Sequence, residues 1–177
     1  IKVIGMRRRI ADNMAASKRH IPHFSYVEEF DVTALEQMRS DLNAHRGARP
    51  KLTMLPFLIV AICRAVPGFP RINARFDDEA GVVTRHGAVH LGMATQTEAG
   101  LMVPVIRDCD HLTFAGIEKA IIEMAGRARD GKLTVADLQG GTFTITNGGI
   151  FGSMMSTPIL NPPQSGILGM KAIQKRP

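Results

Sequence analysis

Apolar residues recur at helical spacing in four stretches of the chain. The first stretch lies within residues 6–18, where every fourth position is apolar: Met6, Ile10 and Met14. The second runs through residues 33–42, the third is the almost wholly apolar run 54–63, and the fourth spans residues 117–128. Such spacing is typical of helices that bury one face or, for the third stretch, most of their surface. We therefore predict four helices.

Short runs of branched, aromatic or alternating residues predict strands around these helices. They lie at residues 23–32, 72–76, 81–84, 89–95, 101–106, 142–146 and 166–173. Alternation of threonine with apolar residues predicts that 142–146 is half-exposed, and Thr33 with Glu36 predicts a capping box. Helices and strands do not alternate strictly, so a doubly wound parallel sheet is disfavoured. The predicted fold is α/β, a two-layer mixed sheet covered by helices, in one domain of residues 1–177.

Composition and charge exclude several classes of protein. The chain is 45% hydrophobic and 21% charged, as globular proteins are. Its net charge of +6 attracts polyanions, but no aromatic platform or zinc-finger signature accompanies the arginines, so we predict no nucleic-acid partner and favour a phosphate-bearing ligand. The run 54–63 is too short to cross a bilayer, and the start does not resemble a secretory signal. We expect a cytoplasmic protein without a membrane partner.

The two cysteines and the histidines do not form metal-binding patterns. Cys63 and Cys109 lie far apart without a Cys-x-x-Cys motif, which argues against a zinc site or a disulfide framework. We expect Cys63 to be inert, and Cys109 not to have a lowered pKa because two aspartates flank it. His86 and His90 lie in a turn and a strand, where their spacing does not favour a metal. For His23 we favour a packed or hydrogen-bonded structural role over catalysis.

The segment with the most unusual local demands is residues 140–169, GGTFTITNGGIFGSMMSTPILNPPQSGILG. Glycines allow the backbone to approach a ligand, and the alternating threonines put hydroxyls on one strand face. The sequence GGIFG lacks the spacing of a dinucleotide fingerprint and no helical pattern follows it, which disfavours a nicotinamide enzyme. The residues alone leave two interpretations open: a glycine-rich turn between core strands, or a ligand site.

Long phrases of the sequence resemble one family. Residues 143–173 resemble the succinyltransferase of the 2-oxoglutarate dehydrogenase complex, whereas IPHFSYVEEFDVTAL and INARFDDEAGVVTRHGAVHLGMAT look more like the branched-chain acyltransferase. GLMVPVIRD and DGKLTVADLQGGTFTITN are similar to both. The likeness covers essentially the whole chain. It resembles the catalytic core domain of the acyltransferases of 2-oxo acid dehydrogenase complexes.

This resemblance implies a fold like that of chloramphenicol acetyltransferase and homotrimers with active sites between neighbouring subunits. Trimers of this family assemble into a cubic or dodecahedral core that works with decarboxylase and dihydrolipoamide dehydrogenase components. The implied reaction moves an acyl group from dihydrolipoamide, carried on a separate lipoyl domain, to coenzyme A. The substrate stays open, since the front half resembles the branched-chain enzyme and the back half the succinyl enzyme. We expect branched-chain acyl groups to be slightly preferred, because residues 92–95 and the strand that begins with Pro-His-Phe are candidates for the pocket. In a eukaryote the implied compartment is the mitochondrial matrix.

The resemblance also implies which residues act. In this family a histidine in a His-x-x-x-Asp-Gly motif takes the thiol proton, and a Ser or Thr hydroxyl, matched here by Thr146, donates to the oxyanion. None of the six histidines is in that motif, because Gly126 precedes the Asp130-Gly131 pair at the required spacing. We therefore expect the chain to stop before the motif, to lack the C-terminal end of its domain, and to be inactive as it stands.

The resemblance assigns coenzyme A binding to one loop, whose residues are Ser156, Thr157, Pro158, Ile159, Leu160 and Asn161. Bracing between trimer subunits is an equally weighted alternative for that loop. Met93, Leu101 and Met102 are candidates for an acyl or lipoyl channel, although core packing is favoured for them. Two further functions stay open: a structural core scaffold and a stand-alone acetyltransferase of the chloramphenicol type. We expect neither a lipoyl nor a partner-binding domain in this chain.

Overall fold

The structure is a computed structural model that describes residues 1–176, with Ile150 described through its backbone only. It has the four helices that the spacing predicts: α1 (Gly5–His20), α2 (Thr33–Ala44), α3 (Leu55–Ala65) and α4 (Phe114–Arg129). The Thr113 hydroxyl caps α4 by accepting a hydrogen bond of 3.1 Å from the Gly116 amide. Gly131 follows α4 with a φ of 68°, which a glycine adopts without strain.

Eight strands are present: β1 (Ala74–Asp77), β2 (Val82–Arg85), β3 (Leu91–Met93), β4 (Thr95–Thr97), β5 (Gly100–Met102), β6 (Val105–Ile106), β7 (Phe143–Asn147) and β8 (Ile167–Met170). β1 with β2 and β4 with β5 form antiparallel hairpins. The predicted strands 89–95 and 101–106 are each divided in two, because their outer halves leave the central sheet to form the β4–β5 hairpin.

The central sheet has four strands in the order β6-β3-β7-β8. β3 is antiparallel to β6 and parallel to β7, which is in turn parallel to β8. α3 and α4 cover one face of this sheet, and the buried core between them and the sheet includes Ile59, Leu91, Met93, Ile117, Met124, Phe143 and Ile145. The predicted two-layer mixed α/β fold is confirmed.

The predicted strand at residues 23–32 is wrong. This segment is extended but pairs with no strand among the described residues, and Phe24, Tyr26 and Phe30 are exposed. Aromatic and branched residues favour a pleated backbone, but a strand exists only where a neighbour supplies hydrogen bonds. The sequence pattern reports the first condition and not the second.

Two further details differ from the predictions. The capping box at α2 is absent, since the Thr33 amide donates to Asp31 Oδ1 at 2.9 Å and the Glu36 carboxylate binds Arg39 instead. β7 is not half-exposed, because it is a central strand and its first three residues are buried. The threonines of β7 therefore face a covered layer of the protein rather than open solvent.

Candidate functional site

The two faces of β7 have different chemistry. Phe143 and Ile145 point to the helices and belong to the core. Thr144 and Thr146 lie on the opposite face, since side chains alternate along a strand. Thr144 is buried and its hydroxyl donates to Gln164 Oε1 at 2.5 Å. Thr146 is half-buried, and the loop that follows β7 passes over this face.

This face is packed more tightly at one end, beside Thr144, than at the other, beside Thr146, which we call the open end. Gly92 is the β3 partner of Thr144, and a Cβ there would lie 2.9 Å from both Thr144 Oγ1 and Val103 Cγ1. Gly169 is the β8 partner of Thr146, and a Cβ there would meet nothing closer than Lys171 Nζ at 3.6 Å. A small side chain would therefore be tolerated at Gly169 beside Thr146, but not at Gly92 beside Thr144.

A cation and a second hydroxyl lie at the open end. The Lys171 ammonium extends over Gly169 and donates a hydrogen bond to Ser156 Oγ. Pro158 Cγ lies 3.7 Å from the same Cβ position at Gly169. Lys171 is two residues after Gly169, and its side chain therefore lies on the same face. The sequence did not single out Lys171, although the alternation of side chains along β8 predicts this position.

The structure places the loop residues differently from one another. Ser156 and Thr157 are exposed and Pro158 is half-buried. Ser156 binds Lys171, and Pro158 lies near Gly169, the partner of Thr146. Ile159, Leu160 and Asn161 are half-buried and lie further along the loop. The six residues thus form one continuous segment over the face, but only its first part lies beside Thr146.

The middle of the loop is bound to the first helix and the residues after it. The Leu160 carbonyl accepts a hydrogen bond of 2.7 Å from Ser17 Oγ in α1, and the Leu160 amide donates to His23 Nε2 at 2.9 Å. His23 Nδ1 lies 2.9 Å from the Ile21 carbonyl. The hydrogen-bonded role favoured for His23 agrees with these contacts.

The tight turn after β7 depends on one glycine. Asn147 Oδ1 accepts a hydrogen bond of 3.1 Å from the Gly149 amide, and a Cβ at Gly149 would lie 2.5 Å from the Lys171 carbonyl oxygen. The Ala172 amide then donates to the Ser153 carbonyl at 3.0 Å. These contacts bring the start of the loop against the end of β8, next to Lys171.

Other candidate groups lie outside this face. Met93 is buried in the core on the helix side of the sheet, on the face opposite Thr146, which is the core packing favoured for it over a place in the acyl channel. Leu101 is exposed and Met102 is half-buried in the β4–β5 hairpin. His90 Nδ1 accepts a hydrogen bond of 3.0 Å from the Asp108 amide. Among residues 1–176, no cluster of three His, Cys, Asp or Glu side chains suits a metal ion.

The two cysteines are neighbours in space. The Cys109 thiol donates a hydrogen bond of 3.2 Å to the Ile106 carbonyl. Interaction with Cys109 lowers the pKa of the half-buried Cys63, whereas interaction with Cys63 and burial raise the pKa of Cys109. The expectation that the Cys109 pKa is not lowered is confirmed, because burial and the neighbouring sulfur disfavour its thiolate. Separately, none of the helices in the described part of the chain has the length and apolar character needed to span a bilayer.

Comparison with known proteins places the whole chain in one group. The family model for the 2-oxoacid dehydrogenases acyltransferase (catalytic domain) matches residues 1–177. The lipoamide acyltransferase component of the branched-chain alpha-keto acid dehydrogenase complex of Pseudomonas aeruginosa is 49% identical over 178 residues, which are 100% of this chain and 42% of that protein. The dihydrolipoyllysine-residue succinyltransferase component of the 2-oxoglutarate dehydrogenase complex of Haemophilus influenzae is 43% identical over 174 residues, with 97% and 42% covered.

The structural comparison agrees with the sequence comparison. The cubic core of a pyruvate dehydrogenase multienzyme complex matches with a TM-score of 0.93 and 33% identity, over 100% of this chain and 74% of that chain. The fold is thus that of the acyltransferase cores. The chain spans 42% of the length of the two curated relatives described above.

Proposed function

Because the chain belongs to the 2-oxoacid dehydrogenase acyltransferase family, we propose that it transfers an acyl group from dihydrolipoamide to coenzyme A. Residues 1–177 would form the greater part of one catalytic core domain, and the lipoyl group would arrive on a separate domain. The observation that carries this proposal is the half-buried Thr146, on the open part of a sheet face that also holds the Lys171 ammonium and the Ser156 hydroxyl.

The reaction exchanges one thioester for another. The sulfur of coenzyme A attacks the acyl carbonyl carbon, the bond from that carbon to the lipoyl sulfur breaks, and the lipoyl sulfur takes up a proton. The carbonyl oxygen carries negative charge in between, and a fixed hydroxyl donor lowers the energy of that state. In this proposal the Thr146 hydroxyl is that donor, since it is on the rigid central strand β7.

The thiol of coenzyme A also needs a base near its own hydrogen. No histidine of this sequence is in a His-x-x-x-Asp-Gly motif. We therefore propose that the base is a histidine outside these 177 residues, and that the chain by itself binds substrate without turning it over. In this proposal, residues 1–177 contribute the oxyanion donor, Thr146, and the loop that binds coenzyme A.

Coenzyme A is assigned to the loop of Ser156, Thr157, Pro158, Ile159 and Asn161. The residues present suit such a substrate: Gly169 leaves a space that a Cβ would fill, and the Lys171 cation and exposed hydroxyls are available to its polar groups. The alternative role of bracing between subunits predicts that substitutions here change assembly and leave coenzyme A binding unchanged.

Two acyl groups are candidates. The higher identity to the Pseudomonas branched-chain component supports a branched-chain acyl group as the first choice. Lys171 favours the second, succinyl, because an ammonium beside Thr146 suits a free carboxylate on the acyl chain. Competing branched-chain and succinyl thioesters in one assay decides between them.

We further propose that the domain forms homotrimers that assemble into a cubic or dodecahedral core in the cytoplasm, or in the mitochondrial matrix of a eukaryote. Decarboxylase and dihydrolipoamide dehydrogenase components would be its partners. The similarity to the cubic core of a pyruvate dehydrogenase complex supports the assembly. Analytical ultracentrifugation tests it, since large symmetric particles are expected and monomers would count against it.

The deciding experiment compares this chain with a version lengthened to include the family's histidine motif. Transfer from acyl-dihydrolipoamide to coenzyme A is expected only in the longer protein, and binding of coenzyme A in both. Symmetric particles that neither bind coenzyme A nor transfer an acyl group would favour the scaffold alternative. Activity with small acetyl acceptors, without dihydrolipoamide, would favour a stand-alone acetyltransferase.

A further inference from the structure

One peptide of the coenzyme A loop is held on both sides by distant residues. Ser17 donates to the Leu160 carbonyl and His23 accepts from the Leu160 amide, at 2.7 and 2.9 Å. Ser17 and His23 lie 143 and 137 positions before Leu160 in the chain. We name this arrangement the Leu160 clamp, consisting of Ser17, His23 and the Leu160 peptide.

The hydrogen bonds of His23 define its protonation pattern. The Ile21 carbonyl, 2.9 Å from Nδ1, can only accept, so the ring proton is on Nδ1. Nε2 then carries the lone pair that accepts from the Leu160 amide. A neutral histidine with this tautomer satisfies both neighbours at once, which neither apolar nor acidic side chains of similar size do.

The hydrogen bond from Ser17 to the Leu160 carbonyl is the other half of the clamp, and breaking it is costly. It is 1% exposed, so its hydroxyl and the Leu160 carbonyl bond away from water. Removing a buried donor leaves the acceptor unsatisfied, which is more expensive than losing the same bond at the surface. The bond therefore fixes the loop relative to α1.

The loop has few other restraints. Residues 156–159 make no hydrogen bond between backbone groups in the described part of the chain, and Met154 and Met155 before them are exposed. The contact from Lys171 to Ser156 restrains the start of the loop, and the clamp restrains its middle. The path of the peptide between these two points depends on both.

We propose that Ser17 and His23 are positioning residues for coenzyme A, acting through the Leu160 peptide. This inference rests on the proposed function, which assigns the loop to coenzyme A. A loop that is ordered before binding loses less conformational freedom when the ligand arrives, so the clamp raises affinity without touching the ligand. Loss of the clamp weakens binding through the loop, while the fold remains.

A matched pair of substitutions separates the two bonds of His23. In His23→Gln the side-chain oxygen reaches the former Nε2 position and accepts from Leu160, whereas His23→Asn reaches only the Ile21 carbonyl. Ser17→Ala removes the other half of the clamp. Ser25→Ala changes an exposed hydroxyl of the same extended segment and is the control.

The test measures hydrogen exchange of the Leu160 amide by NMR and the Kd for coenzyme A by calorimetry, both on the 177-residue chain. His23→Asn and Ser17→Ala are expected to speed exchange at Leu160 and to raise the Kd about two- to ten-fold, from the net worth of one hydrogen bond. His23→Gln and Ser25→Ala are expected to match the unmodified chain in both measurements.

The outcomes distinguish this inference from the proposed function. If the unmodified chain does not bind coenzyme A, the assignment of the loop fails and the positioning role fails with it. If it binds, but His23→Asn and Ser17→Ala bind equally well, the positioning role alone is overturned. Unchanged exchange at Leu160 in His23→Asn would overturn the clamp itself. Exchange of the β7 amides is measured in the same samples, because partial unfolding would speed exchange there as well, whereas loss of the clamp would not.

Discussion

Thr146 and Gly169 are opposite each other in the parallel pair β7–β8, and a Cβ at Gly169 would be in ordinary van der Waals contact with Lys171 Nζ, at 3.6 Å. Lys171 is two residues further along the same face and extends its ammonium into that region. A threonine and a cation thus lie on the same face where both strands end. The following predictions test what this arrangement does.

Replacing Thr146 by Val in the lengthened, active protein is expected to lower kcat about a hundred- to a thousand-fold, or roughly 3 kcal/mol of barrier, as loss of one oxyanion donor does. Thr146→Ser keeps the hydroxyl and is expected to retain most of the activity. Steady-state kinetics with acyl-dihydrolipoamide measure both. Equal activity of the Val and Ser variants would mean that the hydroxyl is not the donor.

Replacing Lys171 by Met is expected to change the choice of acyl group. A charged hydrogen bond to a carboxylate is worth enough that kcat/KM for succinyl transfer should fall about ten-fold, while branched-chain transfer stays near its original value. The measurement is a competition assay with both thioesters. A parallel loss for both acyl groups would show that Lys171 serves coenzyme A or the fold instead of the acyl chain.

Gly149→Ala is expected to destabilise the protein by about 1–3 kcal/mol, as overpacking does. The added Cβ would lie 2.5 Å from the backbone oxygen of Lys171, which has little freedom to move. Gly148→Ala is the matched control, since its Cβ would meet nothing closer than 3.6 Å. Urea unfolding curves of the two variants compare the free energies, and equal values would contradict the predicted close contact.

Cys63 is expected to react before Cys109 with iodoacetamide. Interaction with Cys109 lowers the pKa of Cys63, whereas Cys109 is buried and its pKa is raised. The labelling rate of Cys63 should therefore rise with pH at a lower midpoint than that of an ordinary thiol. In Cys109→Ala this midpoint should move upward, as followed by mass spectrometry of the labelled peptides, and an unmoved midpoint would contradict the interaction between the two cysteines.

Asp137 is expected to contribute an acid-sensitive part of the stability. Hydrogen bonds from the Thr134 amide and hydroxyl lower its pKa, and the Arg127 guanidinium lowers it further. Because the folded pKa lies below the unfolded one, this stabilisation is present above about pH 4 and is lost as the pH falls through the folded pKa. Free energies of unfolding measured from pH 6 downward should decline less steeply in Asp137→Asn than in the unmodified chain. Identical slopes would contradict the predicted contribution of Asp137.

The sequence predicted the features that depend on local spacing. The periodicity of residues 54–63 and 117–128 gave α3 and α4, because burial of one helix face leaves a repeat in the sequence. Thr146 came from the family resemblance, and the structure places it on the open face. Its catalytic role stays a prediction.

Other features depend on partners that are distant in the sequence. The burial of β7 follows from its central place in the sheet, and alternation of side chains looks the same in an edge strand. The contacts of His23 and Ser17 with Leu160 bridge far-apart segments, so no local pattern announces them. The extended segment 23–32 shows the converse, since a strand-like pattern does not supply a strand to pair with.

That extended segment has a consequence for handling the isolated protein. Phe24, Tyr26 and Phe30 project from a backbone whose amides and carbonyls do not pair with a neighbouring strand among residues 1–176. Several large exposed apolar side chains in one segment favour contacts with other molecules. We therefore expect concentrated solutions of the 177-residue chain to self-associate through these aromatic side chains. A charged residue in place of Tyr26 should improve solubility.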